Sequence, residues 1–150
     1  KEIGSDRLAN AISVISKNKN FIVVDFGTAT TFDVIKKNNY LGGVIAPGVT
    51  LSLDNLIKKA SLIPNIELHK SKSIIGKNTK QAVLSGFFWG YNGLVNGIIS
   101  KIKKKTDQKY KIIFTGGLAH LFNKDIKDKV TIDKNLTING LIKVSKHFNL

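Results

Sequence analysis

Apolar residues recur at two different spacings along this chain, and the switches between them divide it into elements. Leu8, Ile12 and Ile15 fall at helical spacing within residues 6–17, which predicts a short helix ending by 18–20. Phe21-Ile22-Val23-Val24 follows as a compact, β-branched run, the pattern of a strand covered on both faces. Asp25-Phe26-Gly27-Thr28-Ala29 reads as a turn and residues 30–35 as the returning strand of a hairpin. Residues 36–39 make a second polar turn, and 40–46 a third strand interrupted by Gly42-Gly43 and closed by Pro47-Gly48.

Helical spacing returns with Val49, Leu53, Leu56, Ile57 and Ala60; residues 64–69 are irregular or a short strand. A long helix is expected from 78–79 into the lysine run at 101–105. Its apolar face would be Leu84, Phe87, Phe88, Tyr91, Leu94, Val95, Ile98 and Ile102. Gly86, Gly90, Gly93 and Gly97 lie along one line of that helix. Each costs about 0.5–1 kcal/mol relative to alanine, so four in a line point to a close approach by another backbone or a ligand. A strand at 111–114, the turn Thr115-Gly116-Gly117, a short helix at 118–122, a strand at 130–132 and an amphipathic helix at 137–148 complete the order. That last helix carries Ile138, Leu141, Ile142, Val144 and Ser145. The fold class is α/β, a mixed sheet flanked by helices.

Composition changes this picture little. The formal charge is +14, but the 24 basic residues are scattered and Arg7 is the only arginine. No aromatic-rich strand is interleaved with them, so solvated lysine faces explain the charge better than a nucleic-acid platform. The chain contains no cysteine, which removes disulfides and Cys-based metal or nucleophile chemistry and fits a reducing cytoplasm. Residues 81–100 carry no charge, yet Ser85, Asn92, Asn96 and four glycines keep the stretch too polar for a membrane span. His69, His120 and His147 have no ligand spacing, and Trp89 reads as core or interface.

Three constellations carry candidate chemistry. In Asp25-Phe26-Gly27-Thr28-Ala29-Thr30-Thr31, a glycine turn with positive φ and open N–H groups, backed by threonine hydroxyls, suits a nucleotide phosphate. Asp25 at its mouth would hold a cation; an ordinary hairpin is the alternative. Thr115-Gly116-Gly117 at a strand-to-helix junction admits a nucleotide near a helix start, or is a plain turn. In Gly4-Ser5-Asp6-Arg7 a carboxylate beside a guanidinium offers a proton acceptor and a fork for a substrate carboxylate, or else Ser5 or Asp6 is a helix N-cap.

Taken in order, these segments resemble the type III pantothenate kinases. Gly4-Ser5-Asp6-Arg7, Asp25 to Thr31, and Gly42-Gly43-Val44-Ile45-Ala46-Pro47-Gly48 are similar to that family's successive motifs. Ile75-Gly76-Lys77-Asn78-Thr79, the glycine-rich helix around Trp89-Gly90, Thr115-Gly116-Gly117 and Leu136-Thr137-Ile138-Asn139-Gly140-Leu141 continue the likeness. The resemblance implies an actin-like, sugar-kinase-type ATPase built of RNase H-like domains. Residues 1–20 would be the end of the first domain with a connecting helix, and 21–150 the second domain. It implies phosphorylation of pantothenate by ATP with Mg2+, the first step of coenzyme A biosynthesis, in a cytoplasmic homodimer, without nucleic-acid or membrane partners.

Carried over by position, Asp6 would be the general base. Gly4, Ser5, Asp6, Arg7 and Thr79 would bind pantothenate, Asp25 a monovalent cation (K+ or NH4+), and Gly27, Thr28, Gly116 and Gly117 ATP. The glycine line becomes either a dimer seam or a packing surface for the helix's own sheet. Ser5 replaces the usual alanine, and the family's first phosphate motif, a strand ending in Asp-x-Gly-Asn-Thr, does not occur here. The expectation is therefore a chain without the N-terminal partner domain, inactive in isolation. A non-catalytic regulatory relative is the alternative function.

Overall fold

The computed structural model describes residues 3–148. Strand β1 (Asn20–Phe26) is the middle of a five-stranded mixed sheet of order β3-β2-β1-β4-β5. It pairs antiparallel with β2 (Ala29–Lys36) and parallel with β4 (Lys111–Thr115). Beyond them, β3 (Asn39–Pro47) pairs antiparallel with β2, and β5 (Val130–Ile132) parallel with β4. The meander and the parallel crossovers follow the order that the apolar spacing predicts.

Helices cover both faces of the sheet. Ile22, Val24 and Phe26 of β1 join Phe32, Ile112 and Phe114 in one core, against Phe88, Val95 and Ile99 of α3 (Thr79–Thr106). Val49 of α2 (Val49–Lys59) and Phe122 of the short α4 (Ala119–Phe122) complete that core. On the other face Phe21, Val23 and Ile35 meet Ala11 and Val14 of α1 (Ser5–Val14) and Leu136 of α5 (Leu136–Phe148). Successive β1 side chains alternate between these layers, so a fully apolar run satisfies both. Residues 64–69 form no strand, although Ile66 is buried.

The largest departures from the expected pattern are on α1 and α5. Helix α1 stops at Val14 and buries Ala9, Asn10, Ala11 and Val14, while Leu8 and Ile15 stay 46% and 40% exposed. Ile138, Leu141 and Ile142 of α5 are likewise exposed. The reason is a close seam. Gly140 lies so near the Ala9 backbone that an added Cβ would collide with the Ala9 carbonyl. Only small residues fit where two helix backbones approach this closely, so the larger apolar side chains turn outward.

Helix α3 starts at Asn78, whose side chain accepts from the Gln81 N–H at 2.9 Å. Its last turn holds Lys103, Lys104 and Lys105, favourably placed against the helix dipole. The glycine line does not pack on the sheet: a Cβ at Gly86, Gly90, Gly93 or Gly97 would meet no atom within 4 Å. Among the described residues no helix is long and apolar enough to cross a membrane.

Overpacking a tight seam costs about 1–3 kcal/mol. Gly140→Ala is expected to lower the unfolding free energy by about that much, read as a lower urea midpoint with an unchanged m-value.

Candidate active-site cleft

The carboxyl end of β1 opens into a cleft of about 600 Å³ assembled from distant parts of the sequence. Its walls include Asp25, the turn residues Gly27, Thr28 and Ala29, Thr31 of β2, Pro47 at the end of β3, and Asp6 from α1. Asp6 reaches it because α1 starts at its rim. The N-cap is Gly4, with no side-chain capping bond, so neither Ser5 nor Asp6 is the cap. Asp6 sits in the first turn, exposed, where a carboxylate is favoured by the helix dipole.

Asp25 is the best-tied group in the cleft. Its Oδ2 accepts from Asn10 Nδ2 at 3.0 Å, and Asn10 Oδ1 accepts from Thr137 Oγ1 at 2.7 Å. Its Oδ1 faces Gly116. With φ at 87°, that glycine packs onto Asp25 and the Phe26 backbone, and an added Cβ would lie 2.6 Å from Asp25 Oδ1. Burial is the main force holding the Asp25 carboxyl above the usual aspartate range; the charges of Asp6 and Asp33 add to it and the Asn10 bond opposes it.

Arg7 follows Asp6 by one residue yet faces the sheet instead of the cleft. Its Nε donates to Asp33 Oδ1 at 2.9 Å, its Nη2 lies 2.7 Å from the same oxygen, and Nη2 donates to Tyr40 Oη at 2.8 Å. Tyr40 Oη donates in turn to Asp33 Oδ1 at 2.7 Å. Asp33 is fully buried, and its Oδ2 has no hydrogen-bond partner among the described residues. Burial first, then the bond to Asp33, pushes the Tyr40 phenol up to about 12. Asp33, Tyr40 and Asn10 lie outside the motifs that sequence reasoning selected; Thr137 lies inside the last of them, without a role assigned to it.

The threonines divide by strand alternation. Thr31 pairs with Asp25 across the sheet and lines the cleft, with a buried hydroxyl that has no partner among the described residues. Thr30 instead pairs with Phe26 and points into the α3 core, 1% exposed, so it is no cleft donor. Gly27 differs from expectation as well. Its φ is not positive, and its N–H donates to the Ala29 carbonyl at 3.1 Å instead of standing open. What it contributes is a bare surface.

Gly117 is exposed, with no atom within 4 Å of a would-be Cβ. Helix α4 behind it has only 4 residues, too few for a useful dipole. Thr79, in the first turn of α3, does not line the Asp6–Asp25 cleft. His69 Nδ1 is bonded to the Glu67 carbonyl, and among the described residues no cluster of three or more His, Cys, Asp or Glu is arranged for a metal.

The raised Asp25 value fixes a sign. Protonation of Asp25 stabilises the fold fully below the ordinary aspartate value, and that contribution is lost as pH rises through the folded value. Asp25→Asn is therefore expected to melt above the parent at neutral pH, with the difference closing under acid. Thermal unfolding across a pH series checks this.

A sequence profile described as type III pantothenate kinase matches residues 1–101. A Pelagibacter ubique protein named type III pantothenate kinase is 61% identical over 97% of this chain and 58% of its own length. A Geotalea daltonii protein of the same name is 43% identical over 94% of this chain and 56% of its own. The chain thus spans somewhat over half the length of these curated relatives. Among solved structures, a Campylobacter jejuni protein assigned to the Baf family of transcriptional activators superposes with a TM-score of 0.71 at 26% identity, covering 100% of this chain and 67% of that one. Spiroplasma citri MreB 5 bound to AMPPNP gives 0.60 at 14% identity, over 97% of this chain and 59% of that one, a likeness of actin-like fold. By its matched profile and its relatives, this chain belongs to the type III pantothenate kinase family.

Proposed function

We propose that this chain forms the acceptor-side part of a kinase that transfers the γ-phosphoryl group of ATP to the terminal hydroxyl of pantothenate. The product would be 4'-phosphopantothenate, at the first step of coenzyme A biosynthesis in the cytoplasm. One observation carries the reading: an exposed carboxylate, Asp6, and a restrained one, Asp25, share a single cleft with the 27–29 turn. Residues 1–20 serve as the connecting segment and 21–150 as the second RNase H-like domain.

In this reading Asp6 accepts the proton of the pantothenate hydroxyl as that oxygen attacks the γ-phosphorus. The bond from γ-phosphorus to the bridging oxygen breaks, and ADP leaves with the electron pair. Gly27 and Thr28 face the ATP phosphates, while Gly116 and Gly117, which do not line the cleft itself, lie toward the adenosine, Gly117 with a bare surface. Asp6 lines the pantothenate side, and Gly4 and Ser5 precede it at the start of α1. The Arg7 fork, already engaged by Asp33 and Tyr40, fixes that segment from behind. Thr79 lies on a separate surface, which suits a pantothenate site near a subunit interface.

The cleft suits hard cations. Its donors are oxygen atoms, namely Asp6, Asp25 and the unpartnered Thr31 hydroxyl, and burial makes the Asp25 charge costly without a counter-ion. Mg2+ on the nucleotide and K+ or NH4+ at Asp25, when bound, offset charge on the phosphoryl oxygens. The outward glycine line supports a homodimer. Gly86 and Gly90 border an apolar groove of about 380 Å³ with Phe87, Tyr91, Leu94 and Pro47. A bulky charged residue at that surface is expected to split the dimer, so Gly90→Glu should sediment as a monomer in analytical ultracentrifugation.

The kinase reading is tested by assaying ATP-dependent pantothenate phosphorylation, with and without potassium, by this chain alone. The same assay is run on this chain joined to the segment of the Pelagibacter ubique relative that it does not cover. Turnover is expected only in the joined protein, and Asp6→Asn should lower kcat by about 10²–10⁴-fold, the usual range for losing a general base. Normal turnover in Asp6→Asn overturns the base assignment. A joined protein that folds but never turns over favours the regulatory reading, which the likeness to the Campylobacter jejuni protein supports.

A further inference from the structure

A directed chain of side-chain hydrogen bonds links the C-terminal helix to the cleft. Thr137, in the first turn of α5, donates to Asn10 on α1, and Asn10 donates to Asp25 at the end of β1. The first bond spans 127 positions of sequence and the second 15. We infer that Asn10 and Thr137 are positioning residues that hold the Asp25 carboxylate in one orientation toward the cleft, making α5 a working part of the cation site. This rests on the reading of Asp25 as the cation-holding group.

The polarity of the chain argues for it. A carboxylate only accepts, so the amide nitrogen of Asn10 must face Asp25 and its oxygen must face away. That oxygen then needs a donor, and the Thr137 hydroxyl supplies it at 2.7 Å. Without that donor, Asn10 Oδ1 would be buried and unpaired whenever its amide nitrogen faces Asp25. Asp25 thus selects the orientation of Asn10, and Thr137 anchors it by satisfying the oxygen that faces α5. Burial argues in the same direction. Asn10 is fully enclosed among Ala9, Ala11 and Val14, where an apolar residue would satisfy packing alone.

The seam between the helices fixes the register of this contact. Gly140 sits on the Ala9 backbone, and Thr137 lies three residues before it on the same face of α5. Ala9 and Asn10 are neighbours, so the backbone contact and the hydrogen bond locate each other. Gly116 closes on the opposite carboxylate oxygen, Oδ1. Asp25 is therefore held from both sides, by a hydrogen bond on Oδ2 and by packing on Oδ1.

Thr137→Val removes the hydroxyl and keeps the shape; Thr137→Ser keeps the hydroxyl. In the form of the kinase that turns over, Thr137→Val should raise the potassium concentration needed for half-activation about tenfold. The KM for pantothenate should stay unchanged, and Thr137→Ser should restore the parent value. In ¹⁵N spectra of this chain without ligands, the Asn10 side-chain amide protons should exchange slowly with solvent. Thr137→Val should speed that exchange at least tenfold while backbone shifts outside α1, β1 and α5 hold. Should Thr137→Val fail to fold, Thr137→Cys, a weaker donor, should give shifts of intermediate size.

Unchanged potassium response together with unchanged Asn10 exchange in Thr137→Val overturns the inference. So does a loss of activity that Thr137→Ser shares and that tracks melting temperature alone. A parent enzyme indifferent to potassium removes the cation reading instead, and the exchange measurement then decides whether Thr137 anchors Asn10.

Discussion

The constraint on which the rest depends is that β1 is covered on both faces. From Phe21 to Val24 every side chain enters one of two cores, so no polar group can be placed along the strand without a buried partner. Asp25 comes at the first position where the layers part, one residue before the strand ends. The parallel neighbour β4 ends beside it at Thr115, and the antiparallel β2 begins nearby. Open α/β sheets bind ligands outside the carboxyl ends of their strands for this topological reason. The cleft is where the apolar constraint stops applying.

A second buried polar group lies behind that edge. Asp33 stands mid-strand on β2, opposite Val23, and among the described residues the Arg7 fork and the Tyr40 hydroxyl make its charge tolerable. Breaking such a pair costs about 3–5 kcal/mol, more than a packed apolar replacement of the whole group would. Its geometry explains why two adjacent residues diverge. The guanidinium is drawn down to the sheet, and the same turn of α1 therefore presents Asp6 to the cleft rim. The Arg7 pair thus acts on the site through backbone placement.

Much of this was legible in the residues. The apolar runs located all five strands and the main helices, because burial on one or two faces leaves a period in the sequence. The α1–α5 seam left none. Its contacts are Ala9, Ala11 and Gly140, whose value lies in being small, so the larger Leu8 and Ile15, both exposed, suggested the wrong inward stripe. Asp6, Asp25, Gly27 and Thr28 were found through motifs, and the fold does bring them into one cleft. Asn10, Asp33 and Tyr40 escaped, and Thr137 stood in a motif without a role, since a hydrogen bond between distant residues has no local pattern. The opposite fates of Thr30 and Thr31 were readable in principle, because strand alternation places only one on the Asp25 side.

The distance between Asn10 and Thr137 also orders events during synthesis. Chains are made from the N-terminus at about 5–20 residues per second, and contacts of large sequence separation form late. Helix α1 and the whole β-meander leave the ribosome long before residues 136–148 exist. Until then Asn10 has no donor for its carbonyl, and the face of α1 that α5 will cover stays open. A nascent chain therefore holds Asp6 and Asp25 in an unfinished setting, and a product clipped before residue 136 would keep the sheet while lacking the donor that anchors Asn10.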